Sequence, residues 1–343
     1  MPERFAASPR EAGFRMPAEW ERHARCWMAW PEREDLWGER LPETQRAYAR
    51  VAQAIASFEP VTLVASPDAV AEAAQRCGPG VDTLALPIDD AWLRDTGPAF
   101  LVRDDGARAA SAWHFNGWGG SFPQCERDAK VAERLCAHLG LPLRRAHLRL
   151  EGGAISVDGA GTILTTESCA LHPNRNPGMS RREVERELCH ALGAEKVIWL
   201  PGELSEGDCT DGHVDGLACF VRPGVVLSET LTDPDSERSA ILRENRRALQ
   251  RATDARGRRL EIIELEDAWQ AEKRGDGYYC ISYVNFYLAN GGVVMPAYDA
   301  PGDEPARRIV ERAFPDRQVV QIDVRDIAIG GGGIHCITQQ QPA

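Results

Sequence analysis

The feature that most constrains this chain is a unit that recurs along it. A residue capable of chemistry stands just ahead of an apolar run, a Gly or Asp turn makes a hairpin, a second apolar run follows, and a helix and a strand lead on to the next unit. Asp95 precedes Ala99-Phe100-Leu101-Val102 and the turn Asp104-Asp105-Gly106, and Glu151 precedes Ala154-Ile155-Ser156-Val157, the turn Asp158-Gly159 and Thr162-Ile163-Leu164. His213 precedes Leu217-Ala218-Cys219-Phe220-Val221, Pro223-Gly224 and Val225-Val226-Leu227, and Asn285 precedes Phe286-Tyr287-Leu288, Asn290-Gly291-Gly292 and Val293-Val294-Met295. Cys336, followed by Ile337, opens the last unit. The five landmarks stand 56, 62, 72 and 51 positions apart. Apolar spacing predicts helices between them near 126–139, 180–192, 234–252 and 303–313.

A period of this size indicates supersecondary units that bury an apolar face only against their neighbours. In a closed ring the equivalent end of every unit points to the axis, so Asp95, Glu151, His213 and Cys336 converge on one central cavity. The alternative is an open α/β sheet in which the equivalence is accidental. No linker or low-complexity stretch interrupts residues 1–343, which predicts a single domain. Ahead of the first landmark the pattern predicts strands at 26–30, 61–64 and 81–86 and helices near 41–58 and 67–76. The tryptophans at 20, 27, 30 and 37 read as the outer wall of the domain rather than as pocket lining.

The chemistry is carried by four short segments. Gly330-Gly331-Gly332-Gly333 leads to Ile334-His335-Cys336; glycines permit close approach of backbone to a ligand, although a Cys there also suits core filling. Trp92-Leu93-Arg94-Asp95 puts two charges and a Trp ahead of a strand, and Leu150-Glu151-Gly152-Gly153 gives an acid followed by backbone room. On an extended segment His213 and Asp215, at i and i+2, leave the same face. A surface ion pair, a solvent-facing Glu and a mutually satisfied His and Asp are the competing readings. The set of Cys, His, Glu and two Asp has more carboxylate than a Cys protease tolerates around its developing oxyanion. It suits a cation, and a planar guanidinium matches carboxylates by bidentate hydrogen bonds. The net charge of -12 agrees with a cationic ligand and argues against nucleic acid or an anionic membrane. Apolar runs are far below a membrane span, and the first twenty residues lack a signal-peptide core, so a cytoplasmic protein is expected. The ten Cys make no close pairs and the eight His form no HExxH, so neither a metal nor a dithiol is expected.

These residues also carry a family resemblance. LRDTGP at 93–98, EGGAI at 151–155, TDGHVDG at 210–216, ISYVNFYLANGGVVMP at 281–296 and GGGGIHCITQQQP at 330–342 resemble the agmatine deiminases of the Porphyromonas-type peptidylarginine deiminase family. GFRMPAEWE at 13–21, WMAWPER at 27–33 and FNGWGG at 115–120 match as well. The resemblance implies an α/β fold, a five-bladed propeller of ββαβ-type units with pseudo-fivefold symmetry around a central active site. It implies a cofactor-free hydrolysis of agmatine to N-carbamoylputrescine and ammonia, on the way to putrescine. Cys336 is then the nucleophile, His213 the general acid and base, Glu151 its partner, and Asp95 and Asp215 the guanidinium clamp. Trp92, Trp118, Gly332 and Gly333 line the substrate site, with Asp208 and Asp211 as candidate partners for a distal amine. Two positions depart from the family pattern: Cys209 stands where a second acid is expected, and Gly333 where many relatives have Asn. The alternatives are another guanidine substrate, such as free or C-terminal arginine, for whose carboxylate Arg94 is the candidate cation, and a propeller that binds a cation without turning it over. The partner expected is a small cationic guanidine, and a homo-oligomer is compatible with the sequence.

Overall fold

The hairpins expected at the repeated turns are present, and each continues into the same connection. A computed structural model describes residues 8–203, 208–232, 236–274 and 279–343. In the first complete unit, Ala99–Val102 pairs antiparallel with Arg108–Ala112, which in turn pairs parallel with Leu143–Arg145 after the helix Val131–Leu139. The same antiparallel-then-parallel order recurs with Ser156–Val157, Thr162–Thr166 and Lys196–Leu200. It recurs again with Ala218–Arg222, Val225–Thr230 and Glu261–Glu266, and with Tyr287–Ala289, Gly292–Ala297 and Gln318–Asp323. The described residues thus form an α/β fold of five mixed sheets. The tight turns need positive φ, which Gly224 (φ 83) and Gly291 (φ 76) supply without a Cβ penalty.

The connecting helices follow from amphipathic spacing and identifiable ends. Arg181–Leu192 begins with a capping box of Ser180 and Glu183 and ends at Gly193 in the left-handed region. Leu41–Ala56 buries Ala47, Tyr48, Val51, Ala52 and Ile55, a stripe at helical spacing. Helices Asp303–Ala313 and Glu237–Arg251 fall within or on the predicted spans; of the latter, residues 234 and 235 lie outside the described residues. Among the described residues no helix is long and apolar enough to cross a membrane.

Three expectations are corrected. The strand expected over 154–157 is shorter, because Gly152–Ala154 forms a 3-10 turn and extended structure begins at Ser156. Residues 213–215 are not extended: Val214–Gly216 is also a 3-10 turn. It follows a loop in which Asp211 (φ 57) and Gly212 (φ 82) reverse the backbone. Of the tryptophans read as outer wall, Trp27 and Trp30 are core, whereas Trp37 lines the cavity described below.

The fifth sheet joins the two ends of the chain. Its order places Thr338–Pro342 antiparallel to His23–Ala29, followed by the parallel strands Val61–Ala65 and Val81–Ala85. The strand after Cys336 therefore finds its hairpin partner more than three hundred positions upstream. A buried cluster beside this sheet binds it to the unit of Tyr287. Glu59, 4% exposed, accepts hydrogen bonds from Tyr287 Oη (2.6 Å) and the Asn290 amide (2.7 Å), and lies 3.1 Å from His23 Nδ1.

Glu59→Ala removes an acceptor from two buried side chains, Tyr287 and His23, and from the half-buried Asn290 amide. We expect it to cost about 3 kcal/mol of unfolding free energy. Urea unfolding reads this as a lower midpoint at unchanged slope; a loss below about 1 kcal/mol would mean that the cluster does not hold the sheets together.

Candidate active site

All five repeated landmarks end at one place. Each stands two or more residues ahead of the first strand of its sheet: Asp95 in the short helix Leu93–Thr96, Glu151 at the entry to Gly152–Ala154, His213 before Val214–Gly216, Asn285 before Tyr287–Ala289 and Cys336 before Thr338–Pro342. Asp95, His213, Asp215, Asn285 and Cys336 line a cavity of about 430 Å³ together with Trp92, Trp118 and Gly332. Glu151 lies directly behind His213, fully buried, with Oε2 3.0 Å from His213 Nε2. Gly153 sits among them: a Cβ there would stand 2.6 Å from His213 Nδ1, 2.9 Å from Asp215 Oδ2 and 3.0 Å from Asp95 Oδ1.

The carboxylates differ in what balances them. Glu151 receives Arg175 Nε at 2.9 Å as well as His213, and although burial opposes its charge these cations hold its pKa below the ordinary range. Asp215 Oδ2 is 2.9 Å from His335 Nδ1, and here too burial is outweighed, chiefly by His335, so the pKa is lowered. Asp95 has neutral donors instead, the Gly153 amide and Trp118 Nε1, both at 2.8 Å, with His213 Nδ1 at 3.9 Å. Burial, added to by Asp215 and Glu151, raises its pKa despite His213. Asp95 is the carboxylate that lacks a dedicated cation.

The histidine and the thiol on the cavity respond to that charge in the same direction. His213 is raised well above its ordinary pKa: burial opposes this, but Asp95, Glu151 and Cys169 prevail. The thiol of Cys336 is also raised well above its ordinary value, by burial and then by Asp215, Cys280 and Asp95. Its Sγ lies 3.2 Å from Asn285 Nδ2 and 3.5 Å from Asp215 Oδ2. Beneath it, His335 bridges Asp215 to Glu19, which His335 and Arg94 hold down to a pKa of about 2 against burial.

The glycine run is packed rather than loose. A Cβ on Gly330 would meet the Trp37 ring at 2.2 Å, and one on Gly332 the Trp92 ring at 2.3 Å. Gly333 is not on the cavity: a Cβ there would strike Asn285 Oδ1 at 2.5 Å, which corrects its placement against substrate. Asp211 is corrected as well, since it accepts from Arg175 Nη1 (2.6 Å) and Asn174 Nδ2 (2.8 Å) and does not line the cavity. Asp208 does line it, but its oxygens cap their own loop through Thr210 and Gly212. Arg94 is no cation for a substrate carboxylate, being 2% exposed and directed to Glu19 and the His335 carbonyl.

Three residues of the site escape a reading of motifs. Asn285 was identifiable, because it holds the same place in its unit as Asp95, Glu151 and His213. Asp90, a buried cavity-lining carboxylate raised by burial to about 6, sits in Asp89-Asp90-Ala91 with no pattern to mark it. Arg175, fully buried between Glu151 and Asp211, lies in an ordinary-looking Asn-Arg-Asn loop. Spacing along the chain also conceals, among the described residues, a group with metal-ligand character: atoms of Glu151, Cys169 and His213 lie within 4.8 Å of one another. The guanidinium of Arg175 already on Glu151 opposes a dication there.

Comparison with known proteins identifies relatives over nearly the whole chain. The agmatine deiminase of Pseudomonas aeruginosa is 43% identical over 365 residues, covering 98% of each chain. The structure of agmatine deiminase of Enterococcus faecalis catalysing its reaction matches with a TM-score of 0.94 at 35% identity over 99% of each chain. That of C. jejuni agmatine deiminase with substrate bound matches with a TM-score of 0.88 at 25% identity over 96% of each. Residues 15–342 match the Porphyromonas-type peptidyl-arginine deiminase family, and the chain belongs to it.

Proposed function

We propose that this chain hydrolyses agmatine to N-carbamoylputrescine and ammonia through a covalent thiouronium on Cys336. The observation that carries the reading is the thiol beside two buried carboxylates, of which Asp95 has no cation of its own. A guanidinium supplies that cation and offers its carbon to Sγ. The full-length similarity to agmatine deiminases supports agmatine as the guanidine. The same reading arranges the five sheets as blades of a single propeller domain over 1–343, with the landmark residues at its axis, and puts the enzyme in the cytoplasm.

Asp95 and Asp215 hold the guanidinium from two sides, with Trp92, Trp118 and Gly332 walling the slot and Asp208 and Asp90 on the cavity toward the far end of the substrate. Entry of the cation offsets the carboxylate field that keeps Cys336 protonated, and the thiol proton leaves to water. The thiolate attacks the guanidinium carbon, forming a C–S bond and a tetrahedral adduct. His213, kept cationic by Asp95 and Glu151, protonates one nitrogen; the C–N bond breaks and ammonia leaves. His213, now neutral, takes a proton from water as its oxygen adds to the thiouronium carbon. Collapse breaks the C–S bond, the hydroxyl proton passes to the departing sulfur, and the thiol is regenerated as the ureido product is released.

Free arginine as substrate is disfavoured because the cations on the wall that could meet its carboxylate are already engaged or lie at the rim. Arg238 is held by Glu203, Glu229 and Asp267, and Arg274 by Asp326, while Arg40 stands at the exposed rim. An assay of agmatine, arginine, 4-guanidinobutyrate and an arginyl peptide, read by ammonia and ureido product, tests the reading. Turnover of agmatine alone or by far the fastest is expected, and preference for arginine or the peptide would overturn the choice of substrate.

Two further outcomes are expected. Asp95→Asn and Asp215→Asn each keep the fold but remove a charged contact of about 1.5 to 3 kcal/mol, lowering kcat/KM by roughly ten- to a hundredfold. A loss below about threefold in either would remove that residue from the clamp. In the free enzyme, the raised thiol pKa keeps Cys336 neutral at pH 7, so its alkylation by iodoacetamide should climb about tenfold per pH unit from pH 7 to 9. A plateau below about pH 8 would show a thiolate already present without substrate.

A further inference from the structure

Arg175 is fully buried, and its guanidinium reaches in two directions. Nε donates to Glu151 Oε1 at 2.9 Å and lies 3.2 Å from Oε2. Nη1 donates to Asp211 Oδ2 at 2.6 Å and to Asn174 Oδ1 at 2.9 Å, and Nη2 lies 3.4 Å from the carbonyl oxygens of Cys209 and Thr210. One side of the guanidinium therefore rests on the carboxylate behind His213, and the other on the loop 208–212 that delivers His213 to the cavity. The neighbouring Asn174 extends this reach. Its carbonyl accepts from Asn116 Nδ2 at 3.0 Å, at the head of the turn whose Trp118 Nε1 donates to Asp95. That turn comes so close that a side chain on Gly119 would strike both Arg175 and Asn174.

We propose that Arg175 is a positioning residue, which holds Glu151 ionised and ties it to the loop of His213, so that this histidine can give up a proton and take one back within a single turnover. The inference rests on the reading of Cys336 as nucleophile and His213 as acid and base. The need for Arg175 comes from what surrounds the ring. Asp95 of the helix Leu93–Thr96, Glu151, Cys169 of the helix Glu167–Ala170, Cys209 of the loop and Asp215 of the following turn all face it, and the charge of each when ionised favours the imidazolium. Unopposed, they would fix the proton on the ring and leave an acid that cannot become a base. A bound guanidinium takes up Asp95 and Asp215, whereas Glu151 lies behind the ring, away from the cavity, and its cation is Arg175. Glu151 and His213 titrate as a pair. Loss of a cation 2.9 Å from the carboxylate raises the pH at which the pair gives up its proton, whichever partner carries it. A lysine would bring its charge to one point and could not serve Glu151, Asp211 and the loop carbonyls together.

Arg175→Gln removes the charge and Arg175→Lys removes the fork, and the adduct on Cys336 separates the two. Acid quenching during agmatine turnover, with peptide mass spectrometry, gives the fraction of Cys336 in adduct, and its decay after dilution of substrate gives the rate of hydrolysis. Hydrolysis needs His213 without its proton, because the ring must take one from water. In the Gln variant we expect the pH of half-maximal hydrolysis to rise by about one to two units. At pH 7 the adduct then accumulates and kcat and KM fall together by about tenfold, a loss that pH 9 largely recovers. The Lys variant keeps the midpoint within about half a unit of wild type, while kcat still falls about tenfold because the loop is no longer held. A merely structural role would lower the active fraction and leave both KM and the midpoint where they were. A Gln variant whose midpoint stays within about half a unit of wild type, or falls, overturns the inference. A Lys variant within about threefold of wild type in kcat overturns the part assigned to the fork. Where the Gln variant fails to fold, Arg175→Met is read in the same way, and where neither folds kcat of the Lys variant decides. A wild-type enzyme that turns over with no adduct on Cys336 overturns the covalent reading, and this inference with it, whereas an adduct in wild type with no shift in the Gln variant overturns the inference alone.

Discussion

Negative charge held away from water is the constraint on which the rest of this structure depends. Asp95, Glu151 and Asp215 are nearly or fully buried within one small region, and an unpaired carboxylate in such a place costs several kcal/mol. The fold answers for two of them: Arg175, itself fully buried, stands on Glu151, and His335 on Asp215, backed by Glu19 and Arg94. Asp95 is left with neutral donors and a histidine at 3.9 Å. Asp95, like the cavity-lining Asp90, thus keeps negative charge that no close ion pair among the described residues balances, and on the proposed reading the guanidinium that balances it is also the group the thiol attacks.

That arrangement gives selectivity in time as well as in space. A thiol whose pKa is raised by burial and by Asp215 stays protonated and unreactive until the same carboxylates are neutralised. The histidine is biased the opposite way and kept cationic. On the proposed reading one field of carboxylates therefore sets the acid ready, holds the nucleophile back and binds the substrate. A protease-like site, which must stabilise an oxyanion, has no use for such a field.

Much of this was legible in the sequence because the repeat couples fold to site. Hairpin turns at Gly224 and Gly291 and helical stripes such as Ala47 to Ile55 are local signals, and the residue ahead of each hairpin could be located without knowing any contact. What could not be read is what depends on meetings across the chain. The pairing of Thr338–Pro342 with His23–Ala29 joins opposite ends, and no local pattern announces it. Arg175 gains its meaning only from Glu151 and Asp211, and Asp211 lost its expected part for the same reason. His213 and Asp215 were placed on one face by assuming an extended segment. They reach the cavity through a 3-10 turn instead.

The claim at the centre of this account is that Cys336 becomes bonded to the guanidine carbon. Acid quenching of the wild-type enzyme during agmatine turnover, followed by peptide mass spectrometry, tests it directly. The account predicts that the peptide containing Cys336, and none containing another Cys, gains the mass of agmatine less ammonia, and that the adduct disappears as substrate is exhausted. Steady turnover with Cys336 unmodified at every quench time, or with the adduct on a different residue, would contradict it.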